Sequence, residues 1–311
     1  MISRKRMFIA IIFSCTLLLS LFFIFKGKFQ VVSEAISNEN VSEAILNENK
    51  VESSPKDHDV IYFSPHADDE MLTYSVSILN DIRDGKKVHL VLISDGDRSF
   101  AREMINGKYD YESLHFERAG KKVFCKIHHT YHDPEKEKYK DGWLSRFEVG
   151  QARIREFYKA AEFMGVPQER VEVFTLKNDK YTVNEVRSII RLYVERYPHA
   201  EFKTMSKFDK HPDHAKLGKV LEEFYLAKKI KKPTFFLSNY MARFSKKHLV
   251  GHRVYLKDSA DRNKVKQGLN VYRTWKPQEG WYGLGIHSVP SQFESMYKNP
   301  YTMIDISDAN K

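Results

Sequence analysis

Val60-Ile61-Tyr62-Phe63-Ser64-Pro65-His66-Ala67-Asp68-Asp69-Glu70 decides how the rest of the chain is read. Its first four residues form the short apolar run of a buried strand. Pro65 ends that strand, because a proline has no N–H to give to a ladder. One imidazole and three carboxylates follow within five residues. Residues 71–82 then place apolar side chains at helical spacing and stop near Asp84-Gly85. The acidic cluster therefore belongs to a strand-to-helix junction. In open α/β sheets such junctions, at the carboxyl ends of strands, are where ligands bind.

Downstream, strand and helix patterns alternate. Residues 87–93, 171–176, 201–206 and 234–237 read as strands. Residues 151–164, 183–197 and 212–226 read as helices, the first two stopped by Gly165 and by Pro198. This alternation predicts an α/β fold with a mostly parallel sheet and helices on both faces. Residues 97–150 are polar and aromatic-rich and read as an inserted lid or loop region. The tail from Lys264, with Trp275 and Gly280-Trp281-Tyr282-Gly283, is expected to shape a rim of the site. No GxGxxG or Walker A pattern follows any strand, so nucleotide binding has no support.

The 311 residues carry a net charge of +10, unevenly spread. Residues 1–28 hold +5 and residues 29–58 hold −4, which leaves +9 for the remainder. A basic globular part suits anionic polymers or anionic membrane surfaces, and no nucleic-acid motif accompanies it. Residues 7–25 form an apolar run of 19, long enough at about 1.5 Å per residue to cross a hydrocarbon core. It is longer than the apolar region of a cleaved signal and lacks an A-x-A site. An uncleaved anchor at 1–28 is the expectation, with a secreted, signal-cleaved protein as the alternative. Arg4, Lys5 and Arg6 favour a cytoplasmic N-terminus and an external C-terminal domain. Residues 29–58 read as an acidic flexible linker, in which a nine-residue unit, 32–40, recurs as 41–49. The domain at 59–311 contains one cysteine, Cys125, so it has no internal disulfide.

His211-Pro212-Asp213-His214 completes the chemistry. Hydrolytic zinc is commonly held by three ligands from His, Asp and Glu. His66, Asp69 and His214 make such a set, drawn from two strand ends. Asp68 is then free to act as general base, and His211 to stabilise an oxyanion or protonate a leaving amine. Asp213 is suited to hold an imidazole in orientation. The bland alternative is that Asp68 or Asp69 caps a helix and that Pro212 merely occupies the first helical position of another. Two such motifs, each at a strand end, favour a joint site. His128-His129-Tyr131-His132 is a rival metal cluster without a strand anchor. Two histidines and one carboxylate also suit iron, so zinc is expected with other divalent metals open.

These motifs resemble the PIG-L/LmbE-like family of metal-dependent de-N-acetylases. Ser64-Pro65-His66-Ala67-Asp68-Asp69-Glu70 and His211-Pro212-Asp213-His214 are similar to its two signature motifs, with Ala67 where the family often has proline. Arg153, Glu156, Ala160 and Met164-Gly165 resemble its intervening helix. Lys264, Gly268 and Tyr272 resemble a later element. The resemblance spans about residues 59–240. It implies a Rossmann-like fold and zinc-dependent removal of acetyl from an N-acetylglucosamine-type sugar. By position it implies His66, Asp69 and His214 as ligands, Asp68 as base, His211 as oxyanion or acid partner, and Arg153 as a substrate contact. With the expected external anchor, it implies a cell-envelope glycan or a glycolipid as substrate. A metal-dependent amidase or esterase, or a non-catalytic carbohydrate-binding envelope protein, are the alternatives.

Overall fold

A computed structural model describes residues 58–307 of the chain. The expected anchor at 1–28, and all but the last residue of the linker at 29–58, lie outside the described residues. Among the described residues no helix is long and apolar enough to cross a membrane.

The chain opens with β1 (Asp59–Ser64), a π-helical turn (Glu70–Tyr74) and α1 (Ser75–Arg83), then β2 (Lys87–Leu92) and α2 (Ala101–Asn106). Next come α3 (Arg146–Met164), β3 (Val171–Val173), α4 (Val183–Arg196), β4 (Glu201–Met205), α5 (Pro212–Leu226) and β5 (Thr234–Phe236). The final third adds β6 (Gly251–Val254), α6 (Arg262–Val271), a small hairpin of β7 (Trp275–Lys276) and β8 (Trp281–Tyr282), α7 (Leu284–Ser288), α8 (Pro290–Lys298) and β9 (Thr302–Asp305). Seven strands form one sheet in the order β3-β2-β1-β4-β5-β9-β6. The first five run parallel, and β9 is antiparallel to both of its neighbours. The fold is therefore α/β with a mostly parallel sheet, as expected, and with one antiparallel edge that was not. β6 and β9 are four residues each and mix polar with apolar side chains, so they carry no strand signature of their own.

β1 lies at the centre of the parallel part and is buried from Val60 onward. Its side chains alternate between two helical layers. Tyr62 stacks on Phe236 and meets Tyr74 on one face, while Phe63 packs edge-on against Tyr193 of α4 on the other. Helices thus cover both faces. α3 begins five residues earlier than its apolar pattern, because Ser145 and Glu148 form a capping box. A second capping box, Thr182 with Glu185, starts α4.

Residues 97–150 contain α2, a 3-10 turn at Phe116–Arg118 and the first turn of α3, with irregular backbone between them. They are ordered by their own contacts. Arg102 is buried and grips Asp110 with its guanidinium, Nη1 donating to Oδ1 at 2.8 Å. Ala101, Ile105, Tyr139 and Leu144 share a small core with Tyr282 and Leu284, so this region packs on the C-terminal segment.

Glu156 of α3 offers a test of this packing. It is 1% exposed; one oxygen accepts the Leu284 N–H at 3.0 Å and the other has no partner. Burial pushes its pKa from 4.5 up to about 8. The folded state thus holds a proton that the unfolded state releases. That contribution to stability is complete below about pH 4.5 and is lost as pH rises towards about 8. Glu156→Gln keeps an acceptor and cannot ionise. Thermal denaturation from about pH 5 to 8 should therefore show the melting temperature of the variant rising progressively relative to wild type. Parallel curves would exclude titration of Glu156 in that window.

Candidate metal centre and active site

The sheet brings the two signature stretches together. β1 and β4 are parallel neighbours, Val60 opposite Glu201 and Tyr62 opposite Lys203, so their carboxyl ends open side by side. The loop after β1 carries His66, Asp68 and Asp69; the loop after β4 and the start of α5 carry His211, Asp213 and His214. All six lie around one cleft of about 200 Å³ or directly beneath it.

Asp69 is the hub. Its Oδ2 lies 3.3 Å from His66 Nδ1 and 3.3 Å from His214 Nε2. The far side of each imidazole is held by another carboxylate. His66 Nε2–H donates to Asp213 Oδ2 at 3.2 Å, and His214 Nδ1–H donates to Asp209 Oδ2 at 3.0 Å. A carboxylate can only accept, so these contacts aim His66 Nδ1 and His214 Nε2 at the Asp69 oxygen. Carboxylate-backed imidazoles are the usual support of metal ligands.

The electrostatics agree with a cation there. Burial opposes charge on His214, but Asp69 and Asp209 outweigh it and push its pKa up to about 9. Burial likewise works against charge on Asp69, and the two imidazoles overcome it and hold the carboxyl well below its usual range. The arrangement stabilises added positive charge. His66, Asp69 and His214 each offer one ligand atom within 4.8 Å of the others and fit a divalent metal ion.

Asp68 is placed differently from Asp69. Its φ is 133°, a region that side chains other than glycine rarely enter. Two contacts hold it there. Its own N–H donates to Glu70 Oε2 at 3.0 Å, and Arg153 Nη2 donates to Asp68 Oδ2 at 2.9 Å and also to the Ala67 carbonyl. Strain of this kind persists only where the surroundings over-determine it. Burial raises the Asp68 pKa, Arg153 opposes that rise, and Asp69 adds to it.

His211 is the N-cap of α5, and its Nδ1 accepts the Asp213 N–H at 3.3 Å. The proton of the neutral ring is then on Nε2. Burial, with His66 and His214 close by, pushes its pKa down to about 3. His211 therefore meets the cleft as a neutral N–H donor.

The structure adds detail to two expectations. Arg153, read from the resemblance as a substrate contact, lines the cleft, and its Nη2 is engaged by Asp68 and the Ala67 carbonyl. The imidazole that Asp213 holds is that of His66, and Asp213 is itself fixed by Lys216 Nζ at 3.0 Å and the Asp179 N–H at 3.0 Å. Sequence reading also missed Asp209, which binds His214, Ser238 and the His211 N–H. Its only signal was an acid two residues before the motif. In the sequence Glu70 is only one of three carboxylates at the strand-to-helix junction. It accepts from Asp68 N–H and from Tyr272 OH at 2.7 Å, and burial pushes its pKa up to about 8.

The profile of the PIG-L family, described as GlcNAc-PI de-N-acetylase, matches residues 61–225. The chain belongs to that family. It is a metal-dependent de-N-acetylase, a hydrolase. Among curated proteins, none matches the chain by sequence. Solved structures to which it is similar include a triple mutant of a deacetylase of the teicoplanin biosynthetic pathway, at 13% identity over 76% of this chain and 88% of that chain, TM-score 0.49. Others are the 4-carboxy-2-hydroxymuconate hydratase GalB from Pseudomonas putida, at 14% over 80% and 94%, TM-score 0.48, and N,N'-diacetylchitobiose deacetylase from Pyrococcus horikoshii, at 14% over 76% and 78%, TM-score 0.43. Likeness at that level spans deacetylases and a hydratase and does not identify a substrate.

Asp209 gives the site its own test. Asp209→Asn should weaken divalent-metal binding about 10- to 100-fold, read by calorimetric titration of the metal-stripped full chain with zinc. An unchanged affinity would show that Asp209 does not act through His214.

Proposed function

We propose that the chain removes the acetyl group from an N-acetylglucosamine unit of a glycan or glycolipid, using zinc held by His66, Asp69 and His214. The observation that carries this reading is the convergence of those three side chains in a cleft that also presents Asp68 and the His211 N–H, in a chain of this family. When bound, the metal supplies Lewis acidity, which polarises the amide carbonyl and makes water nucleophilic near neutral pH.

The chain's own residues perform the remaining work. Asp68, with its pKa raised by burial, takes a proton from the attacking water and returns it to the leaving amine nitrogen. Arg153 holds the Asp68 carboxylate in register and opposes the rise in its pKa that burial causes. His211 Nε2–H donates to the oxyanion that develops on the acetyl carbonyl. Asp213 and Asp209 keep the two ligating imidazoles aimed. Phe100, Tyr240, Arg98 and Arg243 line the same cleft, with the Arg243 guanidinium over the Tyr240 ring, which supports aromatic and cationic contacts to a sugar substrate. The basic net charge of residues 59–311 suits an anionic glycan or lipid headgroup. The apolar run at 7–25 supports a membrane tether with this domain outside the cytoplasm.

The experiment is acetate release from N-acetylglucosamine oligomers by the full chain, with and without chelator. Release that chelation stops and zinc restores is expected; undiminished release in chelator would overturn the metal role. Asp68→Asn should lower kcat about 100- to 10,000-fold while zinc still binds, and full activity in that variant would remove Asp68 as the base. His211→Ala should lower kcat about 100- to 1,000-fold with little change in KM. A rise in KM alone would make His211 a ground-state contact instead.

A further inference from the structure

The rival histidine cluster forms a site, but with different members from those the sequence pointed to. His129 is exposed, and Tyr131 is 53% exposed and packs on Phe124. Cys125, His128, His132 and His287 instead converge, each with one ligand atom within 4.8 Å of the others. Three come from residues 97–150 in the spacing Cys-x2-His-x3-His, and the fourth from α7, far along the chain.

The hydrogen bonding of the four is that of a site awaiting a cation. His287 is 1% exposed. Its Nδ1–H donates to the Gly283 carbonyl at 2.7 Å, which leaves a lone pair on Nε2, and that atom is buried with no partner. A buried polar atom left unpaired is destabilising, and a bound cation would relieve it. His132 Nδ1–H donates to the Glu137 carboxylate at 3.0 Å, which likewise turns its Nε2 inward. There it faces His128 Nδ1 at 3.0 Å, and His128 Nδ1 is 4.0 Å from Cys125 Sγ. So two ring nitrogens and a third orphaned one point at a common volume beside a buried thiol. Glu137 and Gly283 hold the outer nitrogens as the supports of ligating histidines do.

We propose that Cys125, His128, His132 and His287 bind a second metal ion, a structural zinc separate from the catalytic one. One sulfur and three nitrogens suit tetrahedral zinc, with ligand–ligand edges of about 3.3–3.7 Å for the usual bond lengths. Small side-chain rotations reach that geometry from the spacing observed. Four protein ligands leave no position open, and the Trp275 ring covers the cluster, with its centroid 4.4–5.3 Å from all three imidazoles. A closed site of this kind contributes to folding and not to turnover. The loop bearing His132 is also pressed onto the end of α2. Gly107 there has φ 72°, and a Cβ on it would lie 1.8 Å from the His132 carbonyl oxygen.

The place of the site gives the metal a task. Ser288 and Val289, directly after His287, line the catalytic cleft, and Ser288 Oγ meets Ser99 Oγ at 3.2 Å. The ion would staple the irregular region to the segment that forms this wall.

Cobalt separates the two sites, because only this one contains sulfur. Full chain reconstituted with cobalt(II) should show a near-ultraviolet thiolate-to-cobalt charge-transfer band. The band should persist in His214→Ala, which disables the catalytic centre, and vanish in Cys125→Ser. Zinc per chain should fall by one in Cys125→Ser and in His287→Ala. X-ray absorption of the zinc-loaded wild-type chain should record about half a sulfur scatterer per zinc at about 2.3 Å, one sulfur shared over the two sites' metals, a readout that needs no variant. A folded wild-type chain whose cobalt and zinc spectra lack sulfur overturns the site. So does a band that survives Cys125→Ser. Neither result bears on acetate release, which tests the catalytic reading separately.

Discussion

The parallel pairing of β1 with β4 is the constraint on which the rest depends. With β2 and β3 on one side of β1 and β4 and β5 on the other, the strand order reverses direction between β1 and β4. At such a switch point the two following loops diverge to opposite faces and leave a crevice at the strand ends. Here those loops carry all the candidate ligands, although His66 and His214 are separated by nearly half the chain. The pairing is strongly specified because β1 is buried on both faces. A slip of one residue would exchange Tyr62 and Phe63 between two differently shaped layers.

Buried charge surrounds this crevice, and it does not all have one meaning. The Asp68–Arg153 pair is largely buried, where desolvation offsets most of the Coulomb gain, so it adds little to stability. Its effect is positional: it fixes a carboxylate on a strained backbone at the edge of the cleft. Lys203 and Asp81 form another buried pair, 2.6 Å apart, with Tyr62 alongside. That pair lies outside the residues that line the cleft. Burial and pairing are the same in both cases; access to the cleft is what distinguishes a working carboxylate from a structural one.

What the sequence disclosed follows from how local each feature is. His66, Asp68, Asp69, His211, Asp213 and His214 were legible because each lies in a compact motif directly after a strand. Arg153 and Glu156 were legible as a pattern only. Their partners, Asp68 and the Leu284 N–H, lie 85 and 128 residues away, and no helical periodicity reveals them. The long-range hydrogen bond of Tyr272 to Glu70 was hidden for the same reason, and so was the arrival of His287 beside Cys125. Asp209 was close in sequence but looked like an ordinary loop acid, since its burial depends on Ser238 and on the fold of the next strand. The start of α3 was misplaced because its first turn is set by the Ser145–Glu148 capping box rather than by apolar spacing.

The C-terminal third changes what counts as the catalytic unit. The family profile ends at residue 225, yet the polar groups beneath the cleft are completed from beyond it. Tyr272 donates to Glu70, which in turn accepts the N–H of the strained Asp68; the Leu284 N–H donates to Glu156, one turn along α3 from Arg153. Both glutamates are fully buried, and burial alone moves each towards its neutral form. Without residues 262–288, Glu70 would lose its hydroxyl donor and Glu156 its hydrogen bond from the Leu284 N–H, leaving two buried carboxyls to find water or ionise. Either outcome loosens the support of Asp68 and Arg153 from below. The segment is thus less a rim added to a complete enzyme than the other half of the pedestal on which the proposed base is held.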